Sequence, residues 1–455
     1  MSALRGYKPP YISSTVNAFS LGLLCAALCF APGALGQGPP TAPKNQPSVP
    51  QEQTTASTVS VKFLLNEAER NNPQIRAARQ GWEAAKEVPS QVSALPDPQA
   101  VLQEFTVGSP RPFAGYTNSD FAYIGLGVSQ DIPYPGKLKL KGEIAKQDAG
   151  VAEQQYESIR RSVLAGVKAA YFQLAYLSKT LAILQSDGLL LDQVEKAAEA
   201  RYRTGMGNQP DVLQAQLEQT KLLSEITMHH LQVAKAEAQL KELLNRSQSS
   251  TDIEPSDVAE TALPQTFDEL LAAAKLQNPG ISGAEDIVKR QKLQVDLAHK
   301  DFRPDFNLQY MWQRTDPEQY RAYYMLTLGV RLPIHRARLH AELAEAQDNL
   351  SRSQSDLEHQ SQQVASELRV EYDTVQKMSD LLTIYRQGLI PQAKAEFQAG
   401  LAAYQNNRQN FQPVLDAFLD VLDLDEQYWK NFADRETTMA GIEELTGLSL
   451  GEEAN

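Results

Sequence analysis

The chain repeats itself at a spacing of about 200 residues, and this repeat limits its possible folds more than any other feature of the sequence. A repeat has to be recognised before single elements are assigned, because each copy is one structural unit that packs against the next. The matching residues keep their order: Leu64 and Leu270, Asn72 and Asn278, Pro73 and Pro279, and Leu102 and Leu308 at an offset of 206; Leu126 and Leu326, and Pro133 and Pro333, at an offset of 200; Tyr202 and Tyr404, Val212 and Val414, and Ala215 and Ala417 at an offset of 202.

Each copy contains two segments with the alternation of a β-strand. In the second copy, apolar side chains alternate with mostly polar ones, at Phe306, Leu308, Tyr310 and Trp312 and then at Tyr324, Leu326, Leu328 and Val330. Alternation with a period of two predicts strands with one apolar face, so we predict a β-hairpin over 304–332. The first copy predicts a hairpin over 98–132. Its first strand, about 98–108, alternates less cleanly and carries Val101, Phe105 and Val107.

Very long helices follow both hairpins. No proline occurs between Gly136 and Gln209, and a heptad seam runs through this segment at Val163, Val167, Ala170, Leu174, Leu177, Leu181 and Leu184. We predict a helix over 137–203, which would be about 100 Å long at 1.5 Å per residue. Its counterpart covers 334–403, with a kink at Pro391. Shorter helices are predicted over 60–94, 209–246, 266–301 and 412–446.

These elements divide the chain into a first repeat over 59–250, a linker over 251–265, a second repeat over 266–447 and a tail over 448–455. Residues 1–36 have a basic start, an apolar run and small residues before a cleavage point, which is typical of a secretory signal peptide. Residues 37–58 are rich in Pro, Gln, Ser and Thr and predict a disordered leader. The formal net charge of −13 argues against a nucleic-acid partner.

Four strands cannot close a barrel, and an open sheet edge in lipid leaves backbone groups unpaired. Hairpins that span a membrane would therefore have to share one barrel among several copies of the chain. Two copies would give eight strands and three would give twelve, and a lumen needs more than about eight. The inward residues are small or polar, so we favour three copies. The strands could also belong to an ordinary two-layer sheet, in which case the protein would be a soluble periplasmic coiled-coil scaffold.

The order of short helix, hairpin, long helix and short helix, given twice over about 60–447, resembles the TolC-type outer-membrane efflux proteins. The resemblance implies a mixed α and transmembrane β fold: a homotrimer with a twelve-stranded outer-membrane β-barrel, four strands per chain, continued by a periplasmic α-helical barrel. It implies an exit duct in contact with outer-membrane lipid. The partners would be a periplasmic adaptor protein and a proton-driven inner-membrane transporter. A type I secretion duct of the same fold is the alternative. The segments 94–98 and 132–137 are similar to the heavy-metal cation branch.

The resemblance also points to a gate at the turns between helices, at 203–211 and 406–413. In the family, an aspartate after the first turn bonds a tyrosine before the second and holds the tips closed, and Asp211 and Tyr404 stand at these positions. Alternatively, Asp211 only caps the helix that begins near Pro210.

Asp416 matches one of the aspartates with which the family lines its constriction, and a ring of such carboxylates would favour cations. The second such position is Pro413, and the family's gating arginine position is Gln409. Asp416 could instead be a solvated charge on a helix surface, and the acidic stretch that continues to Asp425 could either line an interior or face water.

We expect no enzyme activity, because the sequence has no complete P-loop, zinc-protease or serine-hydrolase motif. We also expect no cofactor and no resident metal. His229 and His230 are adjacent, so they point to different faces of a helix. His335 and His340 have a spacing that suits one face poorly.

Overall fold

The computed structural model describes residues 57–105, 123–256, 258–315 and 322–450. The first repeat consists of β1 (Ser57–Val59), α1 (Val61–Asn71), α2 (Pro73–Ser93), β2 (Gln99–Phe105), β3 (Tyr123–Ile132), α3 (Lys137–Arg203) and α4 (Gln209–Leu243). After β4 (Ile253–Pro255), the second repeat consists of α5 (Phe267–Gln277), α6 (Pro279–Lys300), β5 (Asp305–Thr315), β6 (Ala322–Arg331), α7 (Arg336–Ile384), a π-helical turn (Tyr385–Leu389), α8 (Ile390–Gln405) and α9 (Phe411–Thr446). The predicted signal peptide, nearly all of the predicted leader and both hairpin loops lie outside the described residues.

The long helices have the expected lengths. α3 contains 67 residues, which corresponds to about 100 Å of helix. Its counterpart in the second repeat is interrupted by the π-helical turn, which ends two residues before Pro391. Proline has no N–H to donate and its ring crowds the carbonyl four residues earlier, so a local π-turn accommodates it. At the position of the predicted kink the structure therefore has a π-helical turn.

The helices predicted over 60–94 and 266–301 are each broken, at Asn72 and Asn278. Each asparagine is extended, and each is followed by a proline at the first position of the next helix. Asn72 Oδ1 accepts hydrogen bonds from the N–H groups of Gln74 and Ile75 at 2.8 and 3.3 Å. A continuous helix is therefore the wrong prediction, because Asn-Pro ends one helix and caps the start of another.

The same asparagines also reach a second helix. Asn72 Nδ2 donates to the carbonyl of Leu243, at the end of α4, at 2.8 Å. Asn278 Nδ2 donates to the carbonyl of Leu445, at the end of α9, at 3.0 Å. Carbonyl groups in the last turn of a helix have no partner within that helix. Each side chain therefore caps the start of one helix and the end of another.

The predicted leader and linker contribute one short parallel strand pair. β1, which includes the last two leader residues, pairs with β4 in the register Ser57 to Ile253. The Tyr171 hydroxyl of α3 donates to the carbonyl of Val59 at 3.3 Å. Strands of three residues are too short to leave a periodic pattern in the sequence, so the sequence does not predict this pair.

The other strands form one antiparallel sheet in the order β2-β3-β5-β6. Its register places Leu126 opposite both Leu102 and Trp312, and Tyr310 opposite Leu326. These side chains make up an apolar face that is exposed in the single chain. The apolar alternation predicted for the first strand rested on Val101 and Phe105. These residues lie opposite Gly127 and Tyr123, outside the row that contains Leu102 and Leu126.

The opposite face of the sheet contains mostly small and polar residues around one buried methionine, together with Val101 and the stacked rings of Phe105 and Tyr123. Met311 is fully buried and lies beside Gly125 and Gly127 of β3. A Cβ on Gly127 would lie 2.5 Å from the backbone oxygen of Tyr310. The glycines of β3 therefore permit the close approach of β3 and β5.

Within the described residues, the helical part has three apolar cores. One surrounds Tyr171, Phe172 and Phe432, the second lies near the helical turns around Phe397 and Phe418, and the third surrounds Leu368 and Ile442.

None of the helices in the described ranges combines the length and the apolarity needed to cross a membrane.

Candidate functional site

Two helical turns lie together at one end of the helical part. Residues 204–208 join α3 to α4, and residues 406–410 join α8 to α9. Both turns have the same backbone: Gly205 and Asn407 adopt positive φ angles of 72° and 61°. In the first turn, Met206 N donates to the Arg201 carbonyl at 2.9 Å. In the second turn, the equivalent Arg408 N donates to the Ala403 carbonyl at 2.8 Å. This left-handed ending of a helix usually requires Gly or Asn.

Tyr404 and Asp211 meet between these turns. The Tyr404 hydroxyl donates a hydrogen bond to Asp211 Oδ2 at 3.3 Å. Tyr404 is fully buried, and its ring contacts the edge of Phe411 at a centroid distance of 5.6 Å. Burial and the nearby Asp211 carboxylate raise the pKa of Tyr404 to about 12. The hydroxyl is therefore protonated at neutral pH and acts as the donor.

Asp211 is not the N-cap of α4. That position is occupied by Asn208, and Asp211 is an acidic residue in the first turn of the helix. A carboxylate there also interacts favourably with the positive end of the helix. The structure therefore places Asp211 in the first turn of α4 and in hydrogen-bond contact with Tyr404, but it does not make Asp211 the cap of the helix.

Arg201, in the last turn of α3, is the residue that sequence reasoning missed. Its guanidinium lies 4.1 Å from the centre of the Tyr404 ring and donates to the Tyr404 carbonyl at 2.9 Å. A basic residue near a helix C-terminus is a general signal, and Arg203 gives the same signal. Arg203, however, is exposed and bonds Glu199 of its own helix at 3.0 Å.

Asp416 lies outside this contact. It is exposed on α9 and accepts a hydrogen bond from Gln412 Nε2 at 2.7 Å. Gln412 Oε1 in turn accepts from Gln214 Nε2 of α4 at 2.8 Å. A polar chain therefore connects α4 to Asp416, separate from the Tyr404 and Asp211 pair.

The acidic stretch after Asp416 divides between two environments. Asp420 and Asp423 are exposed. The side chain of Asp425 is only 14% exposed and pairs with Lys394 of α8 at 2.8 Å. Burial, and secondarily the Asp425 charge, raise the pKa of the Asp187 carboxyl on α3. Asp425 is therefore part of the packing between helices, whereas the other two face solvent in the single chain.

Metal binding has no geometric support in the described part of the chain. Within those ranges, no group of three or more His, Cys, Asp or Glu side chains is arranged to hold an ion.

Comparison with known proteins agrees with the repeat and the sheet. The model of the family described as outer membrane efflux protein matches residues 64–246 and 270–448, which are the two copies of the repeat. The fold is similar to that of the outer-membrane channel OprN, with 17% identity and a TM-score of 0.74 over 86% of this chain and 90% of that chain. It is similar to CusC, with 21% identity and a TM-score of 0.74 over 90% and 99%. The Campylobacter jejuni CmeC outer membrane channel shares 15% identity and a TM-score of 0.72 over 91% and 95%. A comparison with curated proteins found no match.

Proposed function

The chain belongs to the outer membrane efflux protein family, and from that premise we propose that it is the outer-membrane exit duct of a tripartite efflux pump. Membership confirms the resemblance seen in the sequence, the mixed α and β fold class and the outer-membrane location. The duct conducts its cargo passively.

The four-stranded sheet is the observation that carries this proposal. β2 and β6 are its edge strands within the described residues, and its apolar face is exposed along Leu126, Trp312 and Leu326. An exposed apolar face with open edges is stable in a membrane only when the edges pair with other strands. Three copies of the chain would close a twelve-stranded barrel with lipid outside and polar residues inside.

The helical part supports a duct that extends from this barrel into the periplasm. α3 follows β3 after four residues, and α7 follows β6 after four residues, so the chain passes directly from barrel to helices. The turns at the far end of α3 and α8, with Tyr404 and Asp211 between them, would then be the periplasmic gate. Three copies of Asp416 would form a carboxylate ring there that favours cations.

The partners follow from the direction of transport. A duct of this kind takes its cargo from a periplasmic adaptor and a proton-driven inner-membrane transporter. We propose heavy-metal cations as cargo, on the strength of the segments at 94–98 and 132–137.

The assembly is tested first by fractionation and mass. The mature protein should resist extraction from membranes by salt, dissolve in detergent and have the mass of three chains. Reconstituted into planar bilayers, it should form channels. A protein that is released by salt as a monomer would be a periplasmic scaffold, and the proposal would be wrong.

The cargo is tested by deleting the gene. Sensitivity to copper, zinc or cobalt alone would support heavy-metal efflux. Broad sensitivity to dyes and antibiotics would replace metal cations with drugs as the cargo. Loss of a secreted protein without any change in sensitivity would favour type I secretion instead.

A further inference from the structure

The guanidinium of Arg201 joins the two helical turns at four points. Nη1 donates to the carbonyl of Tyr404 at 2.9 Å and to that of Gln409 at 3.4 Å. Nη2 donates to the carbonyl of Met206 at 3.1 Å and to the side-chain oxygen of Asn407. Only Met206 belongs to the first turn, so three of the four acceptors lie on the other side of the gate.

The acceptors are well placed for a charged donor. The Tyr404 carbonyl lies in the last turn of α8, where backbone oxygens carry partial negative charge. It already accepts from Asn407 N at 3.0 Å, and Arg201 uses its second acceptor position. Asn407 has the left-handed backbone that reverses the chain. A charged, planar donor with several N–H groups is well suited to such a site, and lysine would lack the fork geometry.

Arg201 also fixes the aromatic ring of the predicted latch. It lies 4.1 Å from the Tyr404 ring centre, within range of a cation–π interaction. The hydroxyl reaches Asp211 at 3.3 Å, which is longer than the roughly 2.5–3.0 Å of a strong O–H to O bond. Arg201 therefore makes four hydrogen bonds where Tyr404 makes one with Asp211, and three of these four are shorter than that bond.

We propose that Arg201 is the residue that holds the two helical hairpins of one chain together at the gate, and that it positions Tyr404 toward Asp211. This rests on the proposed function, because it assigns the closing contact of that same gate. Opening the duct then requires α8 and its turn to separate from the guanidinium, and the Tyr404 bond breaks as a consequence.

Single-channel recordings of the reconstituted protein test whether the Arg201 contacts, rather than the Tyr404 bond, keep the duct closed. Arg201→Met keeps the length of the side chain and removes its donors, and Arg201→Lys keeps the charge without the fork. Both should raise the open probability about tenfold or more, since one hydrogen bond from a charged donor contributes about that factor to an equilibrium. Tyr404→Phe should raise it by less. Arg203→Met is the matched control and should match wild type.

A cross-link distinguishes the loss of the Arg201 contacts from damage to the fold. Gln214 and Gln412, whose side-chain amides are 2.8 Å apart and exposed, are replaced by cysteine in the Arg201→Met chain. A short reversible bifunctional thiol reagent should restore the low open probability, and a reductant should raise it again. The variant with cysteine at Gln214 alone should not respond.

The outcomes distinguish the two ideas. If the wild-type protein forms no channel, the proposed function and this inference are both wrong. If it conducts but Arg201→Met and Arg201→Lys behave like Arg203→Met, the duct stands and the role of Arg201 is refuted. A larger effect of Tyr404→Phe than of Arg201→Lys would refute it as well.

Discussion

Replacing Asn278 by alanine should destabilise the helical part by about 2–3 kcal/mol. The Asn278 side chain is 6% exposed, caps α6 through Gly280 N at 2.9 Å and donates to the carbonyl of Leu445 at 3.0 Å. Loss of an N-cap costs about 1 kcal/mol. Loss of the second hydrogen bond costs about 1 kcal/mol, and more when the remaining carbonyl finds no donor.

Matched variants divide this cost into its parts. Asn278→Asp keeps an oxygen that can cap the helix but loses the donor to Leu445, so about half of the effect should remain. Asn72→Ala should cost as much as Asn278→Ala, and the double variant about twice as much, because the two sites share no partner. Asn66→Ala removes only an exposed bond within α1 and should change stability by less than about 0.5 kcal/mol.

Urea unfolding in detergent, followed by far-ultraviolet circular dichroism, measures these differences. Protein concentration has to be equal throughout, because assembly shifts the apparent stability. If Asn72→Ala and Asn278→Ala cost no more than Asn66→Ala, the two-helix cap is not a stabilising feature and the reasoning fails.

Three further predictions concern charged groups. Burial, and then two neighbouring glutamates, raise the pKa of Glu371 from 4.5 to about 7, so the stability it contributes is complete below pH 4.5 and is lost as pH rises through 7. Glu371→Gln should flatten the decline of the unfolding temperature over that range, and an unchanged slope would contradict this. Lys394→Met should lower the free energy of unfolding in urea by about 1–2 kcal/mol. Removing this half-exposed lysine leaves Asp425 without its ion pair. Adding Asp425→Leu should recover most of that loss, and no recovery would argue against the pair. Asp416→Asn should lower the cation selectivity of the reconstituted channel, and unchanged selectivity would mean that Asp416 is only a solvated charge.

The sequence predicts the long elements well, because their signals extend over many residues. α3 has the predicted bounds of 137 and 203, since a heptad seam without proline leaves a helix as the only regular structure. The breaks at Asn72 and Asn278 were missed although both are part of the repeat. The Asn-Pro dipeptide is a local signal for a break, because the residue before a proline is biased away from the helix and can cap a new one. The packing of α4 and α9 against the asparagines adds a second reason for the break that the sequence does not show.

The candidate site at the helical turns could be predicted only in part. Tyr404 and Asp211 came from the family resemblance, and the structure places them in hydrogen-bond contact. Arg201 and Arg203 give the same signal in the sequence. Only the orientation of the last turn of α3 determines that Arg201, and not Arg203, points toward the second turn. The roles of all these residues in closing the duct remain predictions, as does the metal cargo.

The two turns share a backbone but not their side chains. At the offset of 202, Gly205 corresponds to Asn407, whereas Arg201 corresponds to Ala403. Tyr202, the counterpart of the fully buried Tyr404, is 48% exposed. Six nearly equivalent hairpins in the proposed trimer would therefore give near-sixfold symmetry along the helices that is reduced to threefold at the tips. A ring-shaped partner at that end would meet two chemically different surfaces in alternation, even though one repeated sequence built them both.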